Sequence, residues 1–217
     1  MPVAWTITGG AHADVSLASL GLSQLTRTLV NQGDDRCTFV QDGAAFDGAP
    51  LFAFGSTVTV KRAGVKWFVG RVVAVPRAGS FRGESLRYEL AGPWWYLENL
   101  VYQQFWKVPD DPESSAPVLT DQRRSTLILN LKEDNTTLTT RQQIKDVVDY
   151  AAAAGGPLAI DDSGFPALTV TLDEGRDMTC AEVIRRQLRW APDASLWWDY
   201  TARSEEHTSE LQSLTNL

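Results

Sequence analysis

Alternating apolar and polar positions dominate the first half of the chain and predict antiparallel strands. Residues 57–61 and 86–90 each place their apolar side chains on one face. Residues 65–75 are apolar on both faces, which is typical of a strand that is covered on both sides. Gly70 lies in the middle of this strand and indicates a bulge or a close approach of another backbone. Further strands are predicted at 3–8, 15–20, 25–30, 37–41 and 102–108, the third of which is also compatible with a helical turn.

The second half of the chain contains two segments with helical periodicity. Thr140 and Gln143 form a capping-box pattern, and so do Thr179 and Glu182. Each pair precedes apolar residues spaced three and four apart. These signals predict helices at about 140–154 and 180–190, with strands at 125–131, 168–172 and 195–200. A shorter helix is predicted at 93–100, because Pro93 suits a first helical turn.

These elements predict an α+β chain with two domains. The first covers residues 1–108, an acidic and proline-rich loop or linker covers 109–124, and a mixed α/β domain covers 125–202. Residues 203–213 resemble the translation of a common sequencing adapter, so 203–217 are predicted to be a non-native tail on a sequence truncated near Ala202. The alternative for the tail is a polar C-terminal helix.

Composition narrows the function classes. Of the 217 residues, 43% are hydrophobic and 10% aromatic, which is ample for a buried core. A net charge of -7 argues against nonspecific electrostatic binding of nucleic acid. Cys37 and Cys180 lie far apart without a CxxC pattern, so they are interpreted as buried small side chains in a reduced protein. No apolar run reaches membrane-spanning length, and the N-terminus does not resemble a secretion signal.

The sequence carries no recognisable catalytic, cofactor-binding or metal-binding pattern. His12, the single histidine outside the tail, lies in a Gly/Ala-rich segment and is interpreted as a solvated loop residue. The acidic pairs at 161–162 and 173–174 flank a short predicted strand, where acidic residues in turns are the simpler explanation than a glycosidase pair. No GxSxG pattern, metal-ligand spacing or phosphate-binding loop is present.

Clustered aromatic residues are the strongest candidates for interaction. They are Trp94, Trp95, Tyr96, Trp106, Trp197 and Trp198. Such residues serve core and interface packing or, alternatively, a stacking platform for sugar rings. The two tryptophans of each adjacent pair point in different directions, so one of each pair is predicted to be buried and the other available to a partner.

Two short motifs carry a resemblance to a known family. Residues 55–60 match the pattern G-x-x-V-x-V, residues 68–72 match F-x-G-x-V, and residues 92–99 read GPWWYLEN. Together these motifs resemble phage tail hub proteins of the late control protein D type. That group is related to the baseplate hubs of contractile tails and to VgrG-like spike proteins. The resemblance covers roughly residues 15–108.

The resemblance implies a structural role without catalysis. Residues 1–108 would form a β-barrel-like hub domain, left short of strands if the sequence is truncated. The hub would cap the tail tube and join it to the spike or tip, as a homo-oligomeric ring, with a trimer favoured. DNA would be passing cargo, and the protein would be a virion component assembled in the bacterial host cytoplasm. The predicted interface and packing residues are Trp67, Phe68, Gly70, Trp94, Trp95, Tyr96, Trp106, Trp197 and Trp198. The alternatives are a carbohydrate-binding β module that uses exposed tryptophans and, after it, a hydrolase.

Overall fold

The computed structural model describes residues 3–43, 49–80, 83–109, 119–201 and 209–215, and it confirms the α+β class. The chain divides into two compact units. Unit 1 comprises residues 1–95 and 197–210, and unit 2 comprises 96–196 and 211–217. This division falls earlier than the predicted boundary at residue 108. It also assigns residues 197–210 to unit 1.

Unit 1 is built on an antiparallel sheet of eight strands. The spatial order is β2-β1-β5-β6-β8-β4-β3, and β7 pairs with β8 beside this path. A short 3-10 turn at Ala18–Leu20 links β2 to β3. The strands are β1 Trp5–Gly9, β2 His12–Ser16, β3 Leu22–Thr28, β4 Arg36–Asp42, β5 Thr57–Arg62, β6 Val65–Ala74, β7 Arg77–Ser80 and β8 Gly83–Ala91.

The sheet is strongly curled but stays open, so the described residues do not close the barrel-like domain into a barrel. If the seven strands of this order lay in a flat sheet, β2 and β3 would be about 29 Å apart, because neighbouring strands are ~4.8 Å apart. Residues 17–21 alone join these two strands, and even fully extended they span only about 20 Å. The sheet must therefore bend until its two edges border one gap. Register irregularities in β1, between Ile7 and Gly9, and in β3, between Ser23 and Thr26, lie next to that gap.

The core of unit 1 is aromatic. Phe39 and Tyr88 are direct cross-strand partners on β4 and β8, and their rings stack with centroids 5.0 Å apart. Phe52 packs edge-on against both rings, at 5.9 and 5.5 Å. The Tyr88 hydroxyl accepts a hydrogen bond from the Leu51 backbone N–H at 2.8 Å, so its polar group is satisfied beside the core.

Gly70 makes the close backbone approach that its position in the sequence predicted. A Cβ added there would lie 2.6 Å from the Ala91 carbonyl oxygen on β8 and 2.5 Å from the Phe68 ring. The strand is buried on both faces at this point, since Phe68 and Val69 are both inaccessible. A side chain at position 70 would therefore force neighbouring strands apart.

Unit 2 contains smaller sheets and two capped helices. Strands β9 and β10 pair as a hairpin, β11 pairs with β13, and β15 lies between β12 and β14. Two elements, α1 and β14, cross the boundary between the units, and β15 also contains residues of both. The elements are α1 Trp94–Glu98, β9 Gln104–Pro109, β10 Leu119–Arg124, β11 Thr126–Leu129, α2 Thr140–Ala153, β12 Leu158–Asp161, β13 Asp173–Arg176, α3 Cys180–Leu188, β14 Ala194–Asp199 and β15 Ser209–Thr215.

Both long helices are confirmed, with one shift. The capping box of α3 is Thr179 with Glu182, as predicted. The box of α2 is Thr139 with Gln142, one residue before the predicted pair. Thr140 cannot cap, because its buried hydroxyl donates to the Pro166 carbonyl at 2.9 Å. Adjacent threonines made the two registers hard to distinguish from the sequence.

Other expectations are corrected. The strand predicted at 168–172 is absent, because Leu168 bonds to the start of α2 instead. Its carbonyl accepts from the Thr140 backbone N–H at 2.9 Å, and its N–H donates to the Thr140 hydroxyl at 3.1 Å. The strand comes later, as β13. The predicted loop at 109–124 contains β10, which pairs with β9, while 110–118 lie outside the described residues. Ser209–Thr215 is a strand, not part of the alternative helix. The strand predicted at 15–20 is also wrong, because β2 ends at Ser16 and residues 18–20 form the 3-10 turn. Strands β7 and β12 are not predicted by the sequence pattern.

A buried amide network holds the centre of unit 2. Asn130 and Gln187 exchange two side-chain hydrogen bonds of 3.1 Å, which link the end of β11 to α3. The side-chain oxygen Oε1 of Gln143 accepts a hydrogen bond from the Asn130 backbone N–H at 2.8 Å, which connects α2 to the same network. Because buried polar groups are costly when unpaired, this reciprocal pairing specifies how the two helices and β11 meet.

We expect Gly70→Ala to lower the free energy of unfolding by about 2 kcal/mol or more, because the new methyl group meets a backbone carbonyl that cannot move without disturbing β8. Chemical denaturation of the purified chain measures this. Gly83→Ala is the matched control, since no atom lies within 4 Å of its Cβ position. It should change stability by less than about 0.5 kcal/mol. Equal effects of the two changes would contradict the role given to Gly70.

Candidate functional site

A hydrogen bond between two distant residues anchors the C-terminal segment of unit 1. The Tyr200 hydroxyl donates to Asp35 Oδ2 at 2.7 Å, across 165 positions of sequence. The other carboxylate oxygen accepts from the Val30 backbone N–H at 2.7 Å. The Tyr200 ring stacks on Phe68 of β6, with centroids 5.1 Å apart. The hydrogen bond and the ring stack therefore both hold the Tyr200 side chain beside the start of β4.

The anchor is tightly enclosed. Asp35 is 3% exposed and Tyr200 4% exposed. The Gly92 N–H donates to the Asp35 carbonyl at 2.8 Å, and a Cβ on Gly92 would lie 2.7 Å from the Tyr200 hydroxyl. A larger residue at position 92 would displace the hydroxyl from its acceptor. The glycine of the GPWWYLEN motif thus has a packing role that the sequence did not reveal.

Burial governs the electrostatics of this pair. Desolvation raises the pKa of the Asp35 carboxyl above its ordinary value of 3.8, while the hydrogen bonds from Tyr200 and Val30 and the charge of Arg27 act in the opposite direction. Burial, followed by the adjacent Asp35 charge, raises the pKa of the Tyr200 hydroxyl. The phenol therefore stays protonated and serves as a hydrogen-bond donor.

Strand β6 supplies three of the predicted interface and packing residues. Phe68 is fully buried under Tyr200, and Gly70 allows the approach of β8. Trp67 is half-buried, packs edge-on against Trp5 at 5.0 Å and carries the Arg27 guanidinium 4.2 Å from its ring centroid. Phe68 and Gly70 thus have packing roles, whereas Trp67 keeps an accessible surface.

The members of each tryptophan pair differ in exposure, and a partner role for the accessible member stays a prediction. Trp94 is 1% exposed and Trp198 5% exposed, whereas Trp197 is 37% exposed. Trp95 is half-buried, and the Arg71 guanidinium lies 5.0 Å from its ring centroid. One member of each pair is therefore buried and the other reaches the surface.

The two remaining aromatic candidates are half-buried. They are Tyr96 and Trp106, and the Trp106 Nε1–H donates to the Thr126 carbonyl at 3.2 Å. A sugar platform needs exposed indole faces along one surface. The burial of Trp94 and Trp198 removes two of the six aromatic residues from any such platform.

The candidate chemical groups are not gathered into one site. His12 is not a solvated loop residue, because it begins β2, is half-buried and packs its ring edge-on against Phe52 at 5.8 Å. The acidic pairs were expected in turns, but Asp161 ends β12, where it accepts from the Ser163 N–H, and Asp173 and Glu174 belong to β13.

The two cysteines are inert in this structure. Both are fully inaccessible, and burial raises the pKa of each thiol to about 12. Because the thiolate is the nucleophilic form, neither side chain is reactive near neutral pH. In the part of the chain that the structure describes, no three potential ligand side chains are grouped as a metal site. No helix in that part has the length and apolar character needed to cross a membrane.

Comparison with solved structures relates the fold to two tail proteins. The tail protein from Neisseria meningitidis MC58 matches 97% of this chain with a TM-score of 0.57 and 11% sequence identity. The 43 kDa tail protein of prophage MuSo2 from Shewanella oneidensis matches 97% with a TM-score of 0.54 and 10% identity. The chain spans 50% and 54% of the lengths of these two proteins, so the likeness is one of fold. No protein-family model and no curated protein sequence matches the chain.

We expect Tyr200→Phe to lower the free energy of unfolding by about 2 kcal/mol at neutral pH, because it removes a hydrogen bond to a buried carboxylate. A raised folded-state pKa means that the contribution of Asp35 to stability is complete below its ordinary pKa and is lost as pH rises through the folded value. Loss of the Tyr200 bond raises that folded pKa further. The cost should therefore be larger near pH 7 than near about pH 4.

Denaturant unfolding at both pH values measures this difference. Tyr150→Phe is the matched control, since it removes a phenol that donates to the Val101 carbonyl at an exposed position. The control should cost less and show no such dependence on pH. A cost for Tyr200→Phe that is unchanged, or larger in acid, would contradict the assignment.

Proposed function

We propose that the chain is a structural component of a phage or prophage tail. The observation that carries this proposal is the fold likeness to two tail proteins over 97% of the chain. The motifs at residues 55–60, 68–72 and 92–99 add support from the sequence, since they resemble motifs of tail hub proteins. In this role the chain binds other tail proteins and performs no catalysis.

Within the tail, we propose the position of a hub that caps the tube and joins it to the spike or tip. Several copies, three by the resemblance, form a ring. The open sheet of unit 1 supports this arrangement, because its edge strands β2 and β3 carry backbone groups that can pair with another chain. Accessible aromatic residues such as Trp197 supply the anchors that protein interfaces favour.

The net charge is compatible with the path of DNA through a tail. With a charge of -7, the chain repels the phosphate backbone, which suits a wall that DNA passes without binding. The protein would be assembled in the bacterial cytoplasm and would reside in the virion tail.

Tail particles from the bacterium that carries the gene test this proposal. After prophage induction, an epitope-tagged chain should co-sediment with tails and should be labelled by immunogold at one end of the tube. Deletion of the gene should abolish completed tails, and the intact gene supplied in trans should restore them. Normal tails in the deletion strain, or a chain found only free in the lysate, would contradict the structural role.

A further inference from the structure

A groove of about 660 Å³ lies along the gap between the two edges of the unit 1 sheet. Its lining includes Trp5 of β1, Leu17 before the 3-10 turn, Leu22 and Leu25 of β3, and Trp67 of β6. The volume falls within the roughly 300–1,000 Å³ range of ligand sites, and such sites are mostly apolar. The ring proposed above relies on the backbone edges of β2 and β3, and the groove between these edges offers a side-chain site in addition.

Two arginines lie over the rings of the two groove tryptophans. The Arg27 guanidinium lies 4.2 Å from the Trp67 ring centroid, and the Arg62 guanidinium lies 5.7 Å from that of Trp5. Lys66 precedes Trp67 on β6, and its buried ammonium has no hydrogen-bond partner. None of these three side chains forms an ion pair with a carboxylate of the described residues. Two guanidiniums beside an apolar groove, neither of them paired with a carboxylate of the described residues, favour a ligand that brings carboxylates.

The chain itself contains a segment with matching chemistry. Residues 110–117, which connect β9 to β10 and lie outside the described residues, read DDPESSAP. They carry three carboxylates, two prolines and no basic side chain. Proline-rich segments bind aromatic-lined grooves because their extended conformation loses little entropy on docking. Carboxylates beside the prolines would pair with the cations around the tryptophans.

We propose that the tryptophan groove of one copy binds residues 110–117 of a second copy. The inference rests on the proposed ring, because that function requires contacts between identical chains. The groove belongs to unit 1 and the segment to unit 2, so the contact is head-to-tail, the type that closes a ring. Charge favours this pairing: residues 1–95 contain nine Lys and Arg against seven Asp and Glu, whereas 96–196 contain ten against sixteen.

A labelled synthetic peptide of residues 107–118 tests the groove directly by fluorescence anisotropy. The receptor is the full chain carrying Asp110→Asn, Asp111→Asn and Glu113→Gln, so that its own segment does not compete. We expect saturable binding that weakens at least tenfold when the three peptide carboxylates are replaced by amides. Equal binding of the acidic and amide peptides, or no binding of the acidic one, would overturn the proposal.

Receptor variants locate the site. Arg27→Gln with Arg62→Gln should weaken peptide binding at least tenfold, whereas Arg87→Gln, an exposed arginine on β8 that does not line the groove, should leave it unchanged. Thermal unfolding of each variant verifies that it is folded. Equal loss with the Arg87 control would mean that only general charge attraction is involved, which contradicts a built site.

Sedimentation of the unlabelled chain decides whether the segment comes from a second copy. Self-association of the native sequence should weaken at least tenfold when the three carboxylates are neutralised. Peptide binding with unchanged self-association would overturn the assignment to a second copy. A chain that passes these tests yet is absent from tail particles would contradict the proposed function and not the groove.

Discussion

The structure depends on one buried pair, the Asp35 carboxylate and the Tyr200 hydroxyl. A carboxylate that is 3% exposed must be satisfied inside the protein, and two donors at 2.7 Å do this. One donor comes from the adjoining backbone and the other from a residue 165 positions away. The pair therefore ties the segment that follows unit 2 back to the first sheet. The stack on Phe68 and the close fit of Gly92 depend on the same placement of the tyrosine.

The anchor contacts the same open sheet that carries the groove. A closed barrel has no edges, whereas a curled sheet with a gap keeps two edges and a lined groove between them. The anchor holds Tyr200 against β6, and Trp67 of the same strand forms part of the groove. In the proposed ring, neighbouring copies would complete this open perimeter.

Local patterns predicted most elements because each signal lies within a few residues. Alternation located β5, β6 and β8, and capping boxes located α2 and α3. Contacts between residues far apart in the sequence could not be predicted from such local patterns. The Tyr200 anchor joins residues that no local pattern links, and sheet order depends on packing, so neither the open gap nor the groove at Trp5 and Trp67 was predicted. Leu168 and Leu172 alternate like a strand, but hydrogen bonds to the start of α2 hold Leu168 instead.

A double-mutant cycle between Asp35 and Tyr200 tests the central claim most directly. The free energies of unfolding of the native chain, Asp35→Ala, Tyr200→Phe and the double variant give the coupling between the two side chains. If the pair anchors the chain end, the coupling should be about 1.5–3 kcal/mol at neutral pH, the range of a hydrogen bond to a charged group. Additive effects, with a coupling near zero, would contradict the account.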